Sequence, residues 1–156
     1  TMVYLYETRM IFILSRKGVS TILIIKEVEY AVLIIDELYR ENPLPAAELS
    51  RRKNIPSPFI YRVLKKMEAK DILEIRRGPK GGYSLKADCS KLTLYDIICA
   101  FENTFLVTEC LKSDYECVHN NDINCMLHKQ FAEIQGLLKK EFQRNSLESL
   151  LGDEEK

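Results

Sequence analysis

The sequence contains no apolar run long enough to cross a membrane and has no net charge. The longest apolar stretches near its start, Met10–Leu14 and Ile22–Ile25, are far shorter than the ~20 residues of a transmembrane helix. The polar segment Ser15–Gly18 separates them, and this break also makes them a poor signal-peptide core. We therefore expect a cytoplasmic protein that has no membrane partner.

Nor does the composition favour a disordered, collagen-like or repetitive chain. With 46% hydrophobic residues among 156, the chain can form one compact domain and an accessory element. It has five cysteines and no recognisable secretory signal, which argues against a disulfide framework. Each cysteine is therefore expected to be an inert core residue, a metal ligand or a reactive thiol.

The zero net charge conceals a basic segment. Between Arg51 and Lys80 there are ten basic residues and three acidic ones, so this segment carries +7 (ten minus three) and the remainder −7. Concentrated positive charge is typical of proteins that bind the phosphate backbone of DNA. Charge alone is equally consistent with an ordinary solvated surface.

Two helices are predicted up to Lys53, the first ahead of the basic segment and the second reaching into it. The first begins near Glu27, because apolar residues then recur at spacings of three and four, and it should end before Asn42-Pro43, where proline restricts the preceding residue. The second covers Pro45 to Lys53, with proline in its first turn. The apolar positions of the first helix are Val28, Ala31, Val32, Ile35 and Leu38.

A third helix follows a tight turn at Asn54-Ile55-Pro56. Ser57 is predicted to cap it and Pro58 to occupy its first position. One face is apolar and the other is polar and basic, which completes a helix-turn-helix pattern. The apolar residues are Ile60, Val63, Leu64 and Met67, and the residues opposite them are Tyr61, Arg62, Lys65 and Lys66.

A β-hairpin is predicted directly after the third helix. Leu73–Arg77 alternates apolar and polar residues, Gly78–Gly82 has the composition of a turn, and Tyr83–Leu85 resumes an extended run. A hairpin in this place, with arginines at its tip, is the wing of a winged helix. We interpret its glycines as positions that need a positive φ rather than as a nucleotide-phosphate loop, since the Gly-Lys-Ser/Thr ending is missing.

The last third of the chain predicts a dimer. A short helix starts after Thr93, its expected cap, and the polar stretch Lys112–Asn124 separates it from a long amphipathic helix. An equivalent helix of a second subunit is the economical cover for that apolar face. Packing on the chain's own first helix is the alternative, and the two are compatible. The predicted dimer interface consists of Leu127, Phe131, Ile134 and Leu138, in a repeat that continues to Phe142.

The predicted fold is therefore mainly α with a small β-hairpin wing, a winged helix-turn-helix followed by a long dimerisation helix. Residues 1–25 form an extension of uncertain structure, and 26–88 form the DNA-binding domain. Residues 89–124 hold a connecting helix and a cysteine-bearing loop, 125–151 the dimerisation helix, and 152–156 a tail.

The five cysteines divide into two groups. Cys89 follows the predicted wing and Cys99 stands in an apolar helical stretch, and both are expected to be small buried hydrophobic residues. The other three bracket the polar loop with C-x6-C-x7-C spacing, and thiolates that converge from one loop suit soft metals and iron–sulfur clusters. A structural zinc site usually has tighter spacing, so zinc is the runner-up. These three are Cys110, Cys117 and Cys125, and His128 shares a helix face with the last of them.

The segment Arg77-Gly78-Pro79-Lys80-Gly81-Gly82-Tyr83, placed after a helix-turn-helix and followed by three cysteines that end in Cys-x-x-His, closely resembles the Rrf2 family of winged-helix regulators. The IscR-like and NsrR-like proteins belong to this family, and the resemblance extends from about Ile25 to Leu151. It implies a dimer with crossed long helices and palindromic operators. It also implies a cluster that modulates DNA affinity in response to iron–sulfur status, nitric oxide or redox conditions.

The resemblance also assigns individual residues. The three cysteines match the family's cysteine ligands, and His128 matches the histidine ligand of IscR-like members. Glu29 matches the acidic residue that NsrR-like members contribute from the partner subunit's first helix, and Arg77 matches the wing arginine that enters the minor groove. The cysteine spacings are longer than in IscR-like members. We favour a [2Fe–2S] over a [4Fe–4S] cluster, with Glu29 as fourth ligand and His128 as its alternative.

The function predicted from the sequence is that of a dimeric DNA-binding regulator. The state of the cluster would set the spacing and rigidity of the two recognition helices. The rival hypotheses are a zinc-stabilised or cluster-free DNA-binding protein and, less favoured because no catalytic context is visible, a small cysteine-dependent redox enzyme. The residues predicted to contact DNA are Ser57, Tyr61, Arg62, Lys65, Lys66, Arg76, Arg77 and Lys80.

Overall fold

The computed structural model describes residues 24–102, 105–116 and 125–152. Helices predominate in these residues, with one two-stranded antiparallel sheet, so the predicted fold class is confirmed. The described elements are α1 (Lys26–Arg40), α2 (Ala46–Lys53), α3 (Ser57–Ala69), β1 (Leu73–Arg76), β2 (Gly82–Leu85), α4 (Leu94–Phe101), a short 3-10 helix (Glu109–Leu111), α5 (Met126–Gln143) and α6 (Leu147–Leu151).

Helix α1 forms the centre of the hydrophobic core, because it packs against α2, α3, α4 and β2. Its buried face differs from the predicted one at two positions: Ile34 is fully buried, whereas Val32 is only partly so. As predicted, α1 ends ahead of the Asn42–Pro43 bond. The buried residues of α1 are Val28, Ala31, Ile34, Ile35 and Leu38.

Helices α2 and α3 form the helix-turn-helix. Asn54 ends α2 in the left-handed region, with φ 51°, and Ser50 Oγ donates a hydrogen bond to the Ile55 carbonyl across the turn (2.6 Å). The predicted cap of α3 is wrong by one residue: Pro56 occupies the N-cap and Ser57 is the first helical residue. The predicted apolar face is confirmed, since Ile60, Val63, Leu64 and Met67 are all buried.

The wing is anchored to the linker between α1 and α2. Strand β1 pairs with β2, with Leu73 opposite Leu85 and Arg76 opposite Gly82. Leu44 forms an isolated β-bridge with the hairpin, because its N–H donates to the Tyr83 carbonyl (3.0 Å) and its carbonyl accepts from the Tyr83 N–H (2.8 Å). These bonds hold the hairpin at a fixed position beside α3.

The wing glycines serve two different needs. Gly78 has φ +122°, as predicted for these glycines. The prediction is wrong for Gly81 and Gly82, which lack a positive φ and instead lie against other backbone atoms. An added Cβ would lie 2.2 Å from the Arg76 carbonyl oxygen at Gly81, and 2.4 Å from the Leu44 carbonyl carbon at Gly82.

The C-terminal part divides into two helices where we predicted one segment over 125–151. Thr93 caps α4 through a reciprocal capping box with Asp96, which confirms the predicted cap. Helix α5 ends at Gln143, and α6 returns to the segment before α4, where Leu147 is buried and its N–H donates to the Leu92 carbonyl (2.7 Å). None of the helices that the structure describes has the length and apolar character needed to span a membrane.

Candidate nucleic-acid interface and cysteine loop

The outer face of α3 presents polar side chains to solvent. Tyr61 is 57% exposed, and Ser57 and Lys65 are exposed on the same helix. Lys65 forms no ion pair with any described residue, so its charge is available to an external phosphate. This face has the composition expected of a recognition helix, which combines hydrogen-bonding side chains with a cation.

The wing tip carries a second group of cations. Arg77 and Lys80 are exposed, and neither is ion-paired within the described part of the chain. Arg76 is exposed too, but its Nε lies 3.1 Å from Glu74 Oε1. The hairpin therefore places at least two unpaired cations at a protruding turn next to α3.

Two predicted DNA-binding residues of α3 are instead held by a carboxylate of α1. Glu27 Oε1 lies 2.6 Å from Arg62 Nε, and Glu27 Oε2 lies 3.2 Å from Lys66 Nζ. The Arg62 guanidinium also stacks on Phe59, 4.7 Å from the ring centroid. Sequence reasoning missed Glu27, because the pairing joins positions as far apart as 39 residues and no local pattern marks it.

Further cations of the basic segment are paired with carboxylates that lie far from them in the sequence. Arg52 Nη1 lies 2.8 Å from Glu37 Oε1 and 2.7 Å from Glu41 Oε2, and Lys53 Nζ lies 2.6 Å from Asp36 Oδ2. Hydrogen bonds from Arg52 and then Lys53 hold the pKa of Glu37 below its usual value. These two cations fasten α2 to α1, so they do not form part of a free positive surface.

The structure brings the described cysteines of the polar loop to the side of α5. Cys110 lies in the short 3-10 helix, which packs against α5, and Cys125 is the N-cap residue of α5. Both are half-buried free thiols. Gln135 of α5 holds the segment that follows α4, since it donates to the Phe105 carbonyl (2.8 Å) and accepts from the Val107 N–H (2.8 Å).

The third thiol, Cys117, lies outside the described residues. Among those described, no three histidine, cysteine or acidic side chains are grouped as a metal ion would require. His128 is exposed in the first turn of α5, one turn after Cys125. That first turn contains no acidic residue, and the positive end of a helix dipole favours anionic groups such as thiolates.

Glu29, one of the two predicted fourth ligands, already has a partner on its own helix. Glu29 is exposed in the first turn of α1 and pairs with Lys26 within the chain. The hydrogen bond to Glu29 raises the pKa of Lys26. A surface pair of this kind is weak, so Lys26 would not prevent Glu29 from reaching a second subunit.

The prediction of a buried core residue is confirmed for Cys89 and only partly for Cys99. Cys89 is buried, and burial raises the pKa of its thiol. Cys99 is half-buried in α4 and packs against the core.

Helix α5 has an apolar face that the described residues cover only at one end. Leu138 and Phe142 pack against the core, and Phe142 meets Phe105 edge-on. Towards the start of the helix, however, Leu127 is 68% and Ile134 is 38% exposed, and Phe131 is exposed as well. Isolated exposed apolar residues are common, whereas a continuous stripe marks a surface that another molecule covers.

A helix-turn-helix followed by a hairpin with unpaired cations at its tip defines the class of winged-helix DNA-binding proteins. The sequence profile of the Rrf2 family, described as iron-dependent transcriptional regulators, matches residues 24–153. The chain therefore belongs to the Rrf2 family of transcriptional regulators.

Relatives of known sequence or structure agree with this assignment. A helix-turn-helix transcriptional regulator from Aquifex aeolicus (strain VF5) is 27% identical over 131 residues, which is 83% of this chain and 91% of that protein. The solved structure of T. potens IscR has a TM-score of 0.62 at 18% identity and covers 90% of each chain. CymR, the global cysteine regulator of B. subtilis, has a TM-score of 0.63 at 20% identity over 87% of this chain and 97% of its own.

Proposed function

We propose that this protein is a homodimeric regulator that binds palindromic operator DNA and whose affinity depends on an iron–sulfur cluster. The observation that carries the DNA-binding part is the distribution of unpaired cations. Lys65, Arg77 and Lys80 are exposed and free of ion pairs with the described residues, and all three belong to the recognition helix or the wing. Of the other basic residues of the segment, Lys70 at the end of α3 is also exposed and unpaired among the described residues, whereas those of α2, such as Arg52 and Lys53, are ion-paired.

The proposed contacts divide by chemistry. Ser57 and Tyr61 lie on the exposed face of α3 and would read base edges, while Lys65 and Lys80 would bind phosphates. Arg77, at the tip of the wing, would enter the minor groove, where an arginine senses groove width. Arg62, Lys66 and Arg76 belong to the same surface, but each would have to exchange an intramolecular carboxylate for DNA.

The first prediction concerns how the affinity for DNA depends on salt concentration. The three cations that we assign to DNA in each protomer, two on phosphates and Arg77 in the minor groove, bring six positive charges to the duplex in a dimer. Log affinity should therefore fall with log salt with a slope of about −5. Replacing Arg77 by glutamine should reduce the slope by ~0.9 per bound protomer and lower affinity most for A·T-rich duplexes, which have the narrower groove. Fluorescence anisotropy titrations with synthetic duplexes measure both quantities.

Lys140→Gln is the matched control, because Lys140 is exposed in the last turn of α5 and the substitution removes the same charge. It should leave the slope unchanged. Binding that does not depend on salt, or an equal effect of both substitutions, would contradict the proposed DNA face.

The proposed cluster would be held by the three loop cysteines. Cys110 and Cys125 fit this role because they are half-buried, unpaired thiols on elements that pack together, and Cys117 would supply the third thiolate. Such a cluster provides a thiolate-bound iron centre whose oxidation or loss changes its charge and its hold on the ligands. The chain's own contribution would be mechanical. The segment that leads into the loop is fastened to α5 through Gln135, so a change at the cysteines would act on the helix that we propose to join the subunits.

The second prediction tests these ligands. Protein purified without oxygen should contain iron and sulfide and absorb visible light, and Cys110→Ser or Cys125→Ser should remove both signals. Cys99→Ser is the control, since it makes the same exchange in α4 and should retain them. A colourless protein that contains zinc, or one with no metal at all, would instead support the zinc-stabilised or cluster-free alternative.

Iron content and the visible spectrum also distinguish the two candidates for the fourth ligand. We propose Glu29 of the partner's first helix, so Glu29→Ala should lower iron content and alter the visible spectrum, while His128→Ala should leave both unchanged. The reverse result would assign the ligand to His128, which lies one turn from Cys125 and needs no second subunit.

A further inference from the structure

The contact between Glu27 and helix α3 has a consequence for how the protein discriminates among DNA sequences. Glu27 lies in the first turn of α1, and its side chain is only 13% exposed. Its two oxygens each meet a different cation of α3, Arg62 on one side and Lys66 on the other. One carboxylate thus engages two of the three basic residues between positions 62 and 66.

Aromatic rings reinforce this arrangement. The Arg62 guanidinium lies 4.7 Å from the Phe59 ring centroid, and Lys66 Nζ lies 5.3 Å from that of Phe101. A cation over a ring face is stabilised electrostatically. Both side chains are therefore directed towards their own protein, whereas Lys65, between them in sequence, is exposed and unpaired.

Glu27 attracts Arg62 by its charge, but it does not satisfy all the hydrogen-bond donors of the guanidinium. Its Nε is close to Glu27, but Nε and Nη2 are buried and have no hydrogen-bond partner of suitable geometry among the described residues. Buried donors without partners carry a desolvation cost. A phosphate oxygen could satisfy these donors if the side chain left Glu27, so the carboxylate and the DNA backbone compete for the same cation.

We propose that Glu27 is a specificity-determining residue: it withholds Arg62 and Lys66 from the phosphate backbone and so weakens binding to unrelated DNA. Phosphate contacts contribute affinity to every sequence, and base contacts distinguish one sequence from another. Removing two phosphate contacts per protomer therefore enlarges the share of the binding free energy that depends on sequence. The inference rests on the DNA face proposed above.

The test uses a short mixed-sequence duplex and the full chain. Glu27→Gln frees both cations, so the salt slope should steepen by ~1.8 per bound protomer. Between ~50 and 200 mM salt, affinity should then fall more than in the wild type, by about a further tenfold for each bound protomer or about a further hundredfold for a bound dimer. Glu68→Gln is the control, because Glu68 is exposed on α3 itself, forms no ion pair within the described residues and loses the same charge. It should leave the slope as it is.

Two lysine variants test the inference without altering Glu27. Lys65→Gln should reduce the wild-type slope by ~0.9 per protomer, whereas Lys66→Gln should not change it. Equal slopes for Glu27→Gln and Glu68→Gln, weaker binding in Glu27→Gln, or equal losses in the two lysine variants would each overturn the inference while leaving the regulator function intact. A wild-type protein that bound no duplex would overturn both.

Discussion

Replacing Ile134 with aspartate should leave the protein monomeric. Ile134 lies within the apolar stripe of α5 and is 38% exposed in the single chain, between the more exposed Leu127 and the core-packed Leu138. If a second α5 covers this stripe, the substitution places an unpaired charge in the centre of the interface. A cost of about 3–5 kcal/mol is typical of an uncompensated buried charge, and it corresponds to a more than hundredfold weaker association. Sedimentation equilibrium at micromolar concentration measures the change directly.

Gly136→Asp is the control for this experiment. It introduces the same charge on the same helix, but Gly136 faces away from the stripe and has no atoms within 4 Å of an added Cβ. This variant should remain a dimer. A wild-type protein that sediments as a monomer, or a dimeric Ile134→Asp variant, would show that α5 does not join two subunits.

Replacing Gly82 with alanine should destabilise the winged domain. The added methyl group would lie 2.4 Å from the Leu44 carbonyl carbon, 2.5 Å from its oxygen and 2.8 Å from Pro45 N. All three obstacles are backbone atoms, so no side-chain rotation can relieve the contact. Leu44 would have to move, and its two hydrogen bonds with Tyr83 would weaken. We expect a loss at the upper end of the ~1–3 kcal/mol typical of overpacking, measured as a lower urea midpoint at fixed protein concentration.

The same substitution at Gly136 should act in the opposite direction. Gly136 is helical and exposed to open space, so alanine there removes the flexibility of glycine at no steric cost. A gain of ~0.5–1 kcal/mol is expected. Equal effects at the two glycines would show that the approach of Leu44 does not constrain the wing.

Sequence periodicity predicted most of the fold, because its signals are local. The apolar stripe of α3 and the capping box at Thr93 both depend on residues within two helical turns of one another. The break after Gln143 also has a local signal, which our prediction overlooked. Ser146 precedes a short apolar run and caps α6 by accepting a hydrogen bond from the Ser149 N–H.

The parts that sequence could not predict depend on contacts between distant segments. Gly82 looks like any turn glycine until Leu44 is seen against it. The basic segment looks uniformly positive until Arg52, Lys53, Arg62 and Lys66 are seen beside carboxylates of other helices. A count of charges along the chain could not separate the cations that fasten helices from those available to DNA.

Helix α5 is held to the rest of the described chain at its middle and at its C-terminal end. Gln135 binds the segment that follows α4, Phe142 packs on Phe105, and beyond α5 the buried Leu147 ties the chain back beside Leu92. In a dimer joined through α5, these contacts would help to set the distance between the two wings. Such a molecule measures the separation of two half-sites along the helical repeat of DNA. An operator would be selected by the phase of its two halves as well as by the bases within each.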